Sequence, residues 1–356
     1  MPKIKAGIVG GGGIARGIHI PAFLKFENAE VIATCDIIKE RAESAAKILG
    51  AKHAFTDFND LIALKEIDMV DVCTPNYLHS IVAVAALNAG KHVFSEKPDA
   101  MTVDEALQMK TASEKSGKHL MVMRNWRYAE SSRYIKKYVE DGKCGELYAG
   151  RCGWIRRRGI PGKGGWFTTK AMSGGGPLID LGVHIIDLSM WIMGNPKPVA
   201  VTGSIYNKFA ENEDAPDSEH ADFGDKNSGG TFDVEDLAIG MIRFDNGASM
   251  QIEFSWASNI EAEYGFIEMR GTKAGFKWEG SNPINHLTLY TDDCALVKPP
   301  VGFGPKHMHA ENIRHFIDDV IIGGKKPEFT PDQGVEMIKI LTGIYKSAES
   351  GREVIL

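Results

Sequence analysis

The sequence is notable first for what it lacks. Its five cysteines (Cys35, Cys73, Cys144, Cys152 and Cys294) are odd in number and form no C-x-x-C pair. Neither a disulfide framework nor a zinc site is expected, and a reducing cytoplasm fits this usage. No apolar run approaches the ~18 residues of a membrane span, and the longest clean stretch is only Ile81 to Leu87. Positive charge is not in surplus either. The formal net charge is -6, which gives no reason to expect nucleic acid or an acidic membrane surface as a partner. Lys3 and Lys5 precede an apolar segment, but that segment runs into four glycines and Arg16 with no cleavage-like end, so it reads as a first β-strand. His307 and His309 form an H-x-H pair with no third ligand in view, and no metal is expected. The acidic, Gly/Asp/Asn-rich stretch Ala210 to Asp236 lacks calcium-loop spacing and is expected to be a solvated surface loop. There is no internal repeat.

What is present is alternation. Apolar strands are predicted at Lys5–Val9, Glu30–Cys35, Met69–Thr74, His92–Ser95 and His119–Met123. Amphipathic helices are predicted between them, at Ile14–Phe26, Lys39–Leu49, Asn59–Leu64, Leu78–Ala89 and Val103–Ser116. Gly50, Gly90 and Gly117 stand just past three of these helices, where a left-handed residue is wanted. Short strands alternating with helices imply βαβ units and a doubly wound parallel sheet. After residue ~125 the texture changes. A helix at Glu130–Asp141 is followed by longer strands of period two: Leu147–Ile155, Val199–Tyr206, Leu237–Phe244, Ser249–Trp256, Gly265–Arg270 and Leu287–Tyr290. Helices return at Leu178–Met193, Ala310–Ile322 and Pro331–Ser350. The fold class is therefore α/β, with an N-terminal doubly wound sheet over 1–125 and a C-terminal α+β domain over 126–356 carrying a large, open, mainly antiparallel sheet. One face of such a sheet is left to bury, which predicts a homodimer or homotetramer.

The first strand runs into Gly10-Gly11-Gly12-Gly13-Ile14-Ala15 and then a helix, a G-x-G-x-x-A turn in the right context for a dinucleotide. Gly10 permits the turn, Gly12 lets the backbone approach a pyrophosphate, and Ala15 lets helix and strand pack closely. The second strand ends at Asp36, an acid able to accept hydrogen bonds from both ribose hydroxyls and equally suited to cap the next helix. Asp36 would repel a 2′-phosphate, which favours NAD over NADP, although Lys39 and Arg41 lie close in sequence. Two further strand ends complete the crevice: Thr74-Pro75-Asn76 with His79, and Glu96-Lys97-Pro98.

Together these segments resemble the glucose–fructose oxidoreductase / inositol dehydrogenase / MocA-like (Gfo/Idh/MocA) family. The likeness continues through Ser173-Gly174-Gly175-Gly176 to Asp180-x-x-x-His184 and into Ala310-Glu311, His315-Phe316-Ile317 and Tyr345-Lys346-Ser347-Ala348. The resemblance implies a Rossmann domain for NAD, an open-sheet domain, and an active site between them. It implies catalytic roles for Lys97, Asp180 and His184. It implies cofactor contacts from Gly10, Gly12, Gly13, Ile14, Ala15, Asp36, Thr74, Pro75, Asn76, His79, Glu96, Lys97 and Arg127. Lys97, Asn125, Trp166, Asp180 and His184 are the expected substrate contacts. A cis Lys97–Pro98 peptide is common in the family and is expected here.

Alcohol oxidation removes a hydride and a proton, and the protein must take the proton. Asp180 and His184, four apart on a predicted helix, share a face. The carboxylate would orient the imidazole, and Lys97 would stabilise a developing alkoxide. Asp187 is an alternative, structural partner for His184. Arg156-Arg157-Arg158 is open to three readings: a substrate anion site, a solvated run, or a reach to the cofactor. Trp154 and Trp166 either stack on a sugar face or pack on the sheet. The expected activity is interconversion of a ring hydroxyl and its ketone in a sugar or cyclitol. A redox-assisted glycoside hydrolase or lyase with tightly held NAD, and a non-catalytic nucleotide sensor, are the alternatives.

Overall fold

The computed structural model describes residues 3–211, 224–280, 287–302 and 307–356. The part of the acidic stretch at 212–223 lies outside them. The chain divides into two compact units, one of residues up to Arg124 together with His309–Ile338, the other of Asn125–Met308 together with Lys339–Leu356.

The first unit is a six-stranded sheet: β1 (Ile4–Val9), β2 (Ala29–Cys35), β3 (His53–Phe55), β4 (Met69–Val72), β5 (His92–Ser95) and β6 (Leu120–Val122). The order is β3-β2-β1-β4-β5-β6 and every pairing is parallel. β4 is buried along its whole length, as a strand covered on both faces must be. Helices Lys39–Leu49, Phe58–Ile62, His79–Asn88 and Val103–Ser116 connect the strands. The last starts with a reciprocal cap between Thr102 and Glu105. Gly50 and Gly117 close two of the helices with φ of 67° and 64°, in the left-handed region expected for them.

The chain first leaves this unit at Arg124 and returns to it over His309–Ile338. Ile313, Phe316, Ile317 and Val320 pack into one apolar cluster with Ile8, Phe23, Phe94 and Met121. The amphipathic pattern of that segment shows that it covers a sheet; it carries no mark of which one.

Among the described residues the second unit holds nine strands: β7 (Leu147–Ile155), β8 (Pro198–Tyr206), β9 (Leu237–Phe244), β10 (Ser249–Ser255), β11 (Tyr264–Gly271), β12 (Ala274–Glu279), β13 (Leu287–Thr291), β14 (Leu296–Val297) and β15 (Val354–Ile355). The order is β14-β13-β12-β11-β7-β10-β9-β8-β15. Among the described residues only the β7–β10 pair is parallel. Strict alternation is clearest in β12, where Ala274, Phe276 and Trp278 point inward. Helix Val183–Ile192 lies against β7 and β11. All of it but His184 is buried.

Candidate active site

In the first unit the chain leaves β1 at Gly10, with φ of 101°. A Cβ there would stand 2.4 Å from the Cys73 carbonyl oxygen, so only glycine fits. At Gly12 and Gly13 an added Cβ would meet nothing within 4 Å, which leaves their side of the turn open. Ile14 is half-buried and already helical, and fully buried Ala15 opens the turn Ala15–His19, with the Arg16 N–H donating to the Gly12 carbonyl at 3.0 Å. Half-buried Asp36 follows β2. Its Oδ2 accepts the Gly11 N–H at 2.7 Å and its Oδ1 accepts the Ile38 N–H at 2.8 Å. The carboxylate is thereby held beside the glycine turn, and each oxygen keeps a lone pair for a hydroxyl donor. Asp36 is not the cap of the following helix, whose N-cap is Ile38 with no side-chain bond. Open glycines, a helix start and a fixed acid fit a dinucleotide.

At the end of β4, Thr74 Oγ1 is buried with no hydrogen-bond partner among the described residues, a group that a bound ligand would satisfy. Pro75 is half-buried and Asn76 is 7% exposed. His79 is completely buried. Its ring lies between the Pro98 carbonyl at 2.7 Å and the Thr74 carbonyl at 2.9 Å. Burial pushes its pKa down against those two bonds. His79 was expected to face the cofactor; its ring instead ties the loop after β4 to the loop after β5.

Glu96 is revised in the same way. It is 5% exposed; Oε1 meets His19 Nε2 at 2.8 Å and Oε2 accepts the Lys97 backbone N–H at 3.1 Å. Burial would raise the Glu96 carboxyl, but the bond and charge of His19, with His309 and Lys97, bring it to about 2. Lys97 itself is half-buried and precedes a cis peptide, as expected.

His19 was not singled out by motif. It is completely buried, and its Nδ1 meets Asp71 Oδ2 at 2.8 Å. Its only sequence signal is a lone polar side chain on the apolar face of the first helix. His19, Asp71 and Cys73 have ligand-type atoms within 4.8 Å of one another. The 2.8 Å separation is that of a shared proton; donors around a common tetrahedral ion with bonds near 2.0 Å stand about 3.3 Å apart. His309, from the expected H-x-H pair, is near enough to Glu96, His19 and Lys97 to feel their charges, and burial pushes it down to about 4. His307 is exposed.

In the second unit the glycine run is fixed by two neighbours. A Cβ on Gly175 would lie 2.0 Å from the Tyr345 hydroxyl, and one on Gly176 would lie 2.0 Å from the Glu235 carbonyl oxygen. The Glu235 carboxylate, 4% exposed, accepts the N–H groups of Gly176 at 2.9 Å and Leu178 at 3.1 Å and the Tyr345 hydroxyl at 2.9 Å. Burial raises its pKa against these bonds. Glu235 belongs to the stretch expected to be solvated. Its end is instead anchored, with Asp236 1% exposed and accepting the Lys208 and Phe209 N–H groups.

From this cradle the chain makes one wide π-helical turn, Leu178–Gly182, before helix Val183–Ile192. The single helix expected over Leu178–Met193 therefore has a widened first turn, a feature frequent at functional sites. Asp180 and His184 are both half-buried, on an otherwise buried segment. The indole N–H of fully buried Trp256 donates to Asp180 Oδ2 at 3.0 Å. The Trp154 ring lies 6.5 Å from that of His184.

Asp187 receives Arg127, with Nε to Oδ2 at 2.8 Å and Nη2 to Oδ1 at 2.7 Å. With Arg127 1% exposed, its expected cofactor contact becomes a buried ion pair beneath the His184 helix. Asn125 is 3% exposed, and its Oδ1 has no partner among the described residues. Trp166 is half-buried and stacks on Phe167 at 3.7 Å.

The three arginines brace a loop. Arg156 lies over Trp154 at 5.0 Å, whose indole donates to Glu263 at 2.8 Å. Arg157 donates to the Glu261 carbonyl at 3.3 Å, and Arg158 to the Ser258 carbonyl at 2.7 Å and to Asn259 at 2.6 Å.

Residues 4–124 match the family described as "Oxidoreductase family, NAD-binding Rossmann fold", and residues 132–277 match the "GFO/IDH/MocA C-terminal domain". The chain is similar to the D-glucoside 3-dehydrogenase of Escherichia coli (strain K12), at 31% identity over 99% of this chain and 97% of that one. It is similar at 29% identity to the levoglucosan dehydrogenase of Pseudarthrobacter phenanthrenivorans, over 88% of this chain and 83% of that one. Among solved structures it resembles an oxidoreductase domain protein from Kribbella flavida, with a TM-score of 0.86 and 25% identity over 100% and 99% of the two chains.

Proposed function

The chain belongs to the Gfo/Idh/MocA family of oxidoreductases with an NAD-binding Rossmann domain, and on that basis we propose that it interconverts a ring hydroxyl and its ketone in a D-glucoside or a related pyranose. The observation that carries this reading is the pair of half-buried groups Asp180 and His184, the first held by Trp256, on a segment whose other side chains point into the core. The glucoside and levoglucosan dehydrogenases among the relatives support a pyranose substrate.

In this reading His184 accepts the hydroxyl proton as neutral imidazole. Asp180, fixed by Trp256, orients that imidazole and favours its protonated form. Lys97 donates to the oxygen as negative charge develops there, and Asn125 offers its unpartnered Oδ1 to a substrate hydroxyl. Bound NAD supplies the hydride acceptor. Gly10, Gly12, Gly13, Ile14 and Ala15 shape its pyrophosphate site, Thr74, Pro75 and Asn76 extend it, and Asp36 takes the ribose hydroxyls and disfavours a 2′-phosphate. NAD is therefore the preferred cofactor over NADP.

A homodimer or homotetramer is part of the same proposal. Strand register puts Tyr206, Ile239, Tyr264 and Tyr290 on the sheet face away from helix Val183–Ile192, all exposed. A cytoplasmic setting accords with five free cysteines, four of them buried. Among the described residues no helix is long and apolar enough to cross a membrane.

The test is a panel of methyl D-glucosides, levoglucosan, D-galactosides and myo-inositol, each with NAD and with NADP, followed by NADH or NADPH absorbance. Turnover of glucosides with NAD is expected. Turnover confined to the cyclitol, or equal use of NADP, would overturn the substrate or cofactor assignment.

A further inference from the structure

The first unit contains an imidazole between two carboxylates, all three hidden from solvent. His19 Nδ1 stands 2.8 Å from Asp71 Oδ2, and His19 Nε2 stands 2.8 Å from Glu96 Oε1. Each contact needs one proton, and a neutral imidazole carries only one. The three groups therefore hold one proton more than a neutral histidine with two carboxylates would. That extra proton goes to the most basic of the three. Free imidazole binds a proton near 6.5 and free carboxyls near 4, and two flanking negative charges widen the gap. Burial alone would lower the pKa of His19, yet the charges and hydrogen bonds of Asp71 and Cys73 together outweigh it, and the group sits well above its ordinary value.

The cluster joins three elements. His19 ends the helical turn that opens at the glycine loop. Asp71 lies in β4, three residues before Thr74. Glu96 follows β5, and its second oxygen accepts the Lys97 backbone N–H at 3.1 Å. We propose that His19 is a positioning residue for Lys97: its imidazolium holds the Glu96 carboxylate that in turn fixes the Lys97 backbone. This rests on the assignment of Lys97 as the donor to the reacting oxygen. The other groups acting on the cluster are the Cys73 thiol, which donates to Asp71 Oδ2 at 3.8 Å, and the charges of Lys97 and His309 on Glu96. Replacing the imidazolium by a neutral amide would leave two buried carboxylates without a cation. One of them would then take up a proton much nearer neutrality, and the Glu96–Lys97 bond would weaken when that one is Glu96.

The test combines nitrogen NMR with kinetics on the full chain. In ¹⁵N-histidine-labelled protein, His19 is identified as the ring lost in His19→Gln. It is expected to show two N–H protons from acid pH to well above the ordinary histidine range. A single proton at neutral pH overturns the proposal whatever the kinetics show.

For turnover, the probe is methyl β-D-glucopyranoside with NAD. His19→Gln is expected to lower kcat by about 10- to 100-fold with the KM for NAD nearly unchanged. It should also add a second loss of rate at acid pH, beside the one that protonation of His184 gives the parent. Adding Asp71→Asn restores the net charge of the cluster and should recover part of kcat and shift that loss back to lower pH. A role in packing alone would make the double variant worse on both counts. Parental kcat in folded His19→Gln overturns the proposal. Should His19→Gln fail to fold, Glu96→Gln keeps the shape and removes the charge; a parental kcat there has the same consequence. Lys97→Ala run in parallel separates the two assignments. If it retains parental turnover, the assignment of Lys97 falls. If it is inactive while His19→Gln is parental, only the role of His19 falls.

Discussion

Trp256 donates its indole N–H to Asp180 Oδ2 at 3.0 Å from a completely buried ring, while the carboxylate it holds is half-buried. A hydrogen bond to a charged acceptor is worth about 1.5–3 kcal/mol when one partner is removed. Trp256→Phe keeps most of the apolar bulk and deletes the donor. It should lower kcat by about tenfold with the chain still folded, and Asp180→Asn should lose activity without changing thermal stability by the same mechanism. Parental kcat in a folded Trp256→Phe would show that the indole packs and does not orient.

Gly176→Ala should be among the most damaging single methyl additions in the chain. The new Cβ would stand 2.0 Å from the Glu235 carbonyl oxygen, a backbone atom that cannot swing aside. Either Glu235 or the start of the Asp180–His184 segment must move. Overpacking of this kind costs about 1–3 kcal/mol, and here the strain falls on the N–H groups that Glu235 accepts from Gly176 and Leu178. The expected result is a lowered Tm together with a larger loss of kcat than of NAD affinity. Urea unfolding and turnover on the same preparation decide it.

The parallel sheet and the NAD-binding character of the first domain were legible because local chemistry dictates them. Gly10 needs a positive φ, and the residues around it are a strand and a helix start whatever the rest of the chain does. β3, β12, β14 and β15 were not expected, three of them being only two or three residues long. Alternation is clear in β12, but it was not separated from its neighbours. The supporting residues were hidden for a different reason. Glu235 reads as one more acid in a polar stretch, and Tyr345 as one more aromatic on a helix. The two residues that together hold Gly175 and Gly176 stand 110 residues apart in sequence. His79, Glu96 and Arg127 were found as motif residues, yet sequence spacing could not tell a side chain that faces a ligand from one that holds the loop facing it.

Acid should destabilise the protein through histidines that must stay neutral when folded. His92 Nδ1 accepts the His119 N–H at 3.1 Å, a bond that protonation breaks, and burial lowers the group to about 4. His309 is likewise at about 4. Between the ordinary value near 6.5 and about 4, the unfolded chain binds protons that the folded chain does not, so stability falls as pH drops through that window. Glu96, held at about 2 chiefly by His19 against its own burial, continues the loss below the ordinary carboxyl value of 4.5. His92→Gln should make the slope of unfolding free energy between pH 6.5 and 4 shallower, by about 1 kcal/mol over the window after allowance for solvent at this half-buried ring. Denaturant midpoints measured across the range check it. An unchanged slope would mean that His92 protonates in the folded state at no cost.

The proton itself gives the sharpest test of the proposed chemistry. If His184 is the base, only its neutral form can take the hydroxyl proton, so the rate of sugar oxidation should rise with pH through its titration and then level. His184→Ala should lose about 100- to 10,000-fold in kcat, and the rise should vanish with it. Lys97→Ala removes a donor required mainly as negative charge develops. It should cut kcat by about 100-fold or more while NADH binding, followed by fluorescence, stays near parental. Asp180→Asn should lose less than either, since proton acceptor and oxyanion donor both remain. Asp180 lies four residues before His184 across the widened turn and has its Oδ2 engaged by Trp256. Removing its charge should therefore act on His184 by lowering the pH at which the rate rises, with the plateau less affected. A His184→Ala variant with near-parental rate and the same pH dependence would remove His184 as the base. A parental pH profile in Asp180→Asn would limit Asp180 to holding the substrate.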